Sequence, residues 1–74
     1  PNPTNGNFII ELDNEDINKR FYLSVYGIIG NSVIRDVPIE GLLRIFSLSD
    51  QQAGIYIVRV YNEDQNQTRM LLKY

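Results

Sequence analysis

The side chains with chemical potential in this 74-residue chain are few: nine carboxylates, seven cations and a handful of hydroxyls, with no histidine and no cysteine. Ser24, Ser32, Ser47 and Ser49 have no imidazole to activate them, and a Ser/Lys arrangement requires Lys19 or Lys73 to be desolvated. General acid/base work needs two carboxylates converging in a pocket that shifts their pKa values, for which a domain of this size has little interior. The acidic run Asp13, Glu15 and Asp16 lacks the D-x-[DN]-x-[DN]-G spacing of a calcium loop and reads as a solvated loop. Tyr22, Tyr26 and Tyr61 have the character of a sugar-stacking platform, yet tyrosine is routine in strands and they read as core or rim residues. Asn66-Gln67-Thr68 fits the N-glycosylation triplet, whereas Pro3 excludes Asn2. No catalytic residue, cofactor or metal ligand is assigned.

Charge narrows the partners. The formal net charge is −2, and no run of Lys or Arg forms the basic stripe that nucleic acid or anionic lipid would demand. No apolar stretch reaches the ~20 residues of a helical membrane span. Without cysteine there is no disulfide to staple the domain, and a chain this short buries only about 60% of its unfolded surface, so its stability is expected to be marginal.

The elements that hold these residues follow an apolar period of two. "FIIEL" puts Phe8, Ile10 and Leu12 on one face, and "FYLSVY" puts Phe21, Leu23 and Val25 opposite Tyr22, Ser24 and Tyr26. "SVIRDV" is a weaker strand, followed by a loop punctuated by Pro38 and Gly41. "LLRIFSLS" sets Leu42, Phe46 and Leu48 on one side with Arg44 as the exception. "GIYIVRVY" sets Tyr56, Val58 and Val60 against Ile55, Ile57, Arg59 and Tyr61, and "TRMLLKY" closes the series. Six or seven strands separated by turn signals predict one all-β domain, a small antiparallel β-sandwich over residues 1–74. Ile9, Ile34, Ile45, Ile55 and Ile57 fall opposite the assigned core; either some registers are off by one or an apolar patch is left for a partner.

The chain opens on "PNPTNG", Pro1, Asn2, Pro3, Thr4, Asn5 and Gly6. Pro3 presets a turn and Asn5-Gly6 tolerates left-handed geometry, so the hexapeptide is a bend that feeds Phe8 into the first strand. Together with "VYGIIGNSV" at Val25 to Val33, "SLSDQQAGIYIVRV" with its Gly54, Ile55 and Tyr56, and the ending "RMLLKY", this order of motifs resembles the type A C-terminal sorting domain of the type IX secretion system of Bacteroidetes-like bacteria. The resemblance covers the whole chain.

Several expectations come with it. The resemblance implies an immunoglobulin-like sandwich at the end of a larger precursor. It implies a function of address, directing an N-terminal cargo domain across the outer membrane, with the module often removed by a sortase. Its partners are then the outer-membrane translocon and the sortase, and its path runs through the periplasm to the cell surface or medium. The alternative is a permanent immunoglobulin-like binding or spacer module of an extracellular enzyme.

Strand alternation places the loops at two poles. One is expected to be acidic, with Asp13, Glu15, Asp16, Glu40, Glu63 and Asp64. The other gathers the opening turn, the "GIIG" loop, the "DQQAG" loop and the C-terminal residues. The expected recognition residues are Ile28, Ile29, Gly30, Gly54, Tyr56, Arg69, Leu72, Lys73 and Tyr74. The terminal strand, guarded by Arg69 and Lys73 alone, is expected to offer an edge for self-association.

Overall fold

The computed structural model describes residues 3–12 and 18–74. Six strands follow in order: β1 (Asn7–Glu11), β2 (Phe21–Gly27), β3 (Ser32–Ile39), β4 (Leu43–Ser47), β5 (Gly54–Tyr61) and β6 (Asn66–Lys73). They form two antiparallel sheets, a pair β1-β4 and a quartet ordered β3-β2-β5-β6. The domain is therefore all-β and sandwich-like, with two strands facing four.

Between the sheets lies one core, made of Phe8, Phe21, Leu23, Val25, Ile39, Phe46, Leu48, Tyr56, Val58 and Leu71. Phe8 and Phe46 sit opposite each other in the β1-β4 pair and stack with ring centroids 5.7 Å apart. Most of the positions that alternation predicts as core are buried. Ile10, Leu12 and Val60 are only partly covered, because the smaller sheet cannot roof the whole of the larger one.

Three details depart from simple alternation. Pro38 lies within β3 rather than in a loop after it, which the ladder tolerates because β3 is an edge strand and proline's missing N–H costs no central hydrogen bond. The register of β2 against β3 slips twice, between Leu23 and Val25 and again between Val25 and Tyr26. These bulges turn Ile34, assigned to the outer face by strict alternation, into a residue packed against the core.

The first slip is held by a polar cluster. Asp36 adopts φ +50°, a left-handed conformation costly for a non-glycine residue, and its amide donates to Ser24 Oγ at 3.0 Å. Ser24 Oγ in turn donates to Asp36 Oδ1 at 3.2 Å, and Tyr61 OH donates to the same carboxylate oxygen. Ser24 faces away from the core yet is fully buried beneath this cluster, where a face of Tyr22, Ser24 and Tyr26 predicts solvent exposure.

Candidate functional site

Four sequence motifs converge at one end of the sandwich. Gly27 at the end of β2 registers with Tyr56 of β5, and Gly54 at the start of β5 registers with Lys73 of β6. The opening segment joins them through a parallel bridge between Thr4 and Lys73. Thr4 N donates to the Leu72 carbonyl at 2.8 Å, and Tyr74 N donates to the Thr4 carbonyl at 3.0 Å. The bend that follows is closed by the Thr4 hydroxyl, which donates to the Asn7 carbonyl and accepts the Gly6 amide at 3.1 Å.

Gly6 then accepts the amide of Leu48 at 2.7 Å, locking the bend onto the end of β4. Its φ is +138°, and a Cβ there would stand 3.0 Å from the Ser49 Cα, so glycine is required both by conformation and by space. Pro1 and Asn2 lie outside the described residues, as do Asp13, Glu15 and Asp16 of the expected acidic loop.

The "DQQAG" loop is clamped from two sides. Lys73, buried to 8% exposure, donates from Nζ to the Gln51 carbonyl at 2.5 Å, and the Tyr56 hydroxyl donates to the Gln52 carbonyl, also at 2.5 Å. Lys73 is thus a tie between the last strand and the loop that starts β5, where composition alone made it a surface gatekeeper. Tyr56 combines a core ring with a polar tip that finds its partner.

Beyond this clamp stand the exposed residues. The β2–β3 hairpin is closed by Gly27 N to the Asn31 carbonyl at 2.8 Å and Gly30 N to the Gly27 carbonyl at 2.9 Å. It presents Ile28 at 63% and Ile29 at 88% exposure, both side chains standing in solvent. Leu72 and Tyr74 are exposed as well. Arg69 is not at this end: it lies four residues back along β6, roughly 13 Å away by strand rise.

Ile9 and Ile45 face each other across β1-β4 on the outer side and remain exposed, as does Ile55, so part of the second isoleucine set is a real apolar surface. Sequence reasoning did not single out Ile9 and Ile45 for the site. With Pro3, Asn5 and Tyr74 they line a shallow depression of about 380 Å³ beside the opening turn.

The opposite pole differs from its expected acidic character. Glu63 and Asp64 share a depression with Lys19 and Arg20, and Glu40 shares another with the same two cations, so the described part of that pole carries mixed charge. Among the described residues, no group of three or more acidic side chains is placed to hold a metal ion. Among the described residues no helix is long and apolar enough to cross a membrane.

The domain is a small two-on-four β-sandwich whose sequence motifs meet in a hydrogen-bonded knot at one end. The chain belongs to the family described as the secretion system C-terminal sorting domain, whose model matches residues 1–73. It is the C-terminal sorting signal of type IX secretion, attached to a cargo protein and carried across the outer membrane to the cell surface or medium. The family is not one of enzymes. Comparisons with curated proteins and with solved structures gave no match.

Proposed function

We propose that the export machinery reads this module at the end where the Thr4 knot, the Ile28–Ile29 hairpin, the Gly54–Tyr56 strand start and the Lys73–Tyr74 terminus adjoin. The observation that carries the reading is the Ile28–Ile29 tip: two large apolar side chains held in solvent by a closed hairpin, Ile29 at 88% exposure. The knot supplies a rigid base, because the bonds of Thr4, Gly6, Tyr56 and Lys73 fix four chain segments relative to one another. Gly30 and Gly54 serve as turn residues beside it, and Leu72 and Tyr74 extend the apolar surface, while Arg69 stands apart from this end.

In this reading the outer-membrane translocon binds the tip during transit from the periplasm, and a sortase then removes the module from its cargo. Pairing of two copies along β6 is confined to the start of that strand, since the opening segment occupies its far end. The test is a reporter bearing this module in a bacterium with the type IX machinery. Ile28→Ser with Ile29→Ser is expected to leave the module folded and stop export; normal export of that folded variant overturns the proposal.

A further inference from the structure

The two sheets differ by two strands, and an open groove runs between β1 and the β5-β6 side of the larger sheet. The amide of Leu48 donates to Gly6 and that of Leu12 to Leu42, so by antiparallel alternation the even-numbered residues of β1 bond to β4. The N–H and C=O groups of Ile9 and Glu11 therefore point away from β4, along an edge with no neighbouring strand among the described residues. Beside that edge runs an open groove of about 410 Å³, walled by β1 on one side and by β5 and β6 on the other. Its floor changes along its length: Val58, Val60 and Leu71 are apolar, and Arg69 stands among them. Arg69 donates to the Thr68 carbonyl at 3.1 Å and has no carboxylate partner among the described residues.

We infer that the outer edge of β1 takes up one β-strand of a partner polypeptide, whose inward side chains run apolar, acidic, apolar. Such a strand, laid antiparallel to β1, exchanges main-chain hydrogen bonds with Ile9 and Glu11. Its residues opposite Phe8, Ile10 and Leu12 share their inward direction and roof the exposed flank of β6. An inward carboxylate lies over Arg69, and apolar neighbours on either side cover Leu71 and Val60. The guanidinium, which has no carboxylate partner among the described residues, is what selects an acidic strand over a plain hydrophobic one. The proposal concerns a different face from the Ile28–Ile29 tip and stands without the export reading of that tip.

The probe is a capped seven-residue peptide with Val, Glu and Val at its inward positions and Thr between them, titrated into the isotope-labelled domain. The expected result is slowed hydrogen exchange at the Ile9 and Glu11 amides, with shifts confined to β1, β6 and the groove. Replacing the central Glu by Lys should weaken binding about threefold to fivefold, as for an exposed ion pair, and Arg69→Glu should restore it. Ile9→Pro removes an edge donor that β4 does not use and should abolish binding; Arg69→Glu with the original peptide serves as the control that leaves β1 untouched. No binding at millimolar peptide, equal binding of the Glu and Lys peptides, or shifts centred elsewhere overturns the proposal. So does protection of Ile9 in the protein alone that rises with concentration, which assigns the edge to a second copy.

Discussion

Thr4 and Lys73 lie side by side in parallel strand geometry at opposite ends of the described chain, the Thr4 amide donating to the carbonyl just before Lys73 at 2.8 Å. This bridge converts two termini into one surface. It also covers the far end of β6, so an edge that would be open in an isolated hairpin is partly closed by the chain's own opening segment.

The Thr4 hydroxyl bonds both Asn7 and Gly6 from a site with 3% exposure. Thr4→Val keeps the shape and removes the hydroxyl, leaving a buried amide unpaired; a loss of about 1–3 kcal/mol is expected in urea denaturation. Thr4→Ser should recover most of it.

Gly6→Ala places a methyl group against the Ser49 backbone at a φ that alanine rarely adopts. A loss of about 1–3 kcal/mol is expected, read as a lower melting temperature. A parent-like melt would show that the bend relaxes at no cost.

Phe46 and Tyr56 anchor opposite sheets, with exposures of 8% and 7%. Truncation of either to alanine should cost about 3–5 kcal/mol, enough to unfold a domain of this size at ambient temperature by circular dichroism. Tyr56→Phe keeps the ring, releases the Gln52 carbonyl and should cost only about 1 kcal/mol.

Asp36 is held at positive φ by Ser24 and Tyr61. Ser24→Ala removes the acceptor of the Asp36 amide and should destabilise by about 1–3 kcal/mol. In a double-mutant cycle, Ser24→Ala and Tyr61→Phe should be non-additive, since both act through the Asp36 carboxylate.

Ile28→Ser with Ile29→Ser should shift stability by no more than about 0.5 kcal/mol, because the side chains leave solvent for nothing in the folded domain. Calorimetry of the purified variant checks this, and it separates a recognition defect from a folding defect in the export assay.

The strands were legible because their side chains alternate, and that period survives wherever a strand is flat and one face is buried. It placed Phe8, Leu23, Val25, Phe46, Tyr56 and Val58 correctly in the core. Alternation failed at Ile34, where each bulge adds a residue and reverses the face, and at Pro38, whose tolerance depends on β3 being an edge. The order of motifs from the opening bend to the basic, apolar end identified the family, because motif order is a property of the chain itself.

Which residues of those motifs are buried ties and which are exposed is a matter of tertiary structure. Thr4 and Lys73 look like surface residues in one dimension, yet each becomes buried once a distant segment supplies its hydrogen-bond partner, Leu72 for one and Gln51 for the other. Ile28 and Ile29 are apolar side chains in a tight loop, and they stay in water because their hairpin projects past the end of the core. Sequence thus determined the elements and the family. The long-range pairing of strands, which no local pattern encodes, decided the two-on-four layering, the edge position of β1 among the described strands and the face that each motif presents.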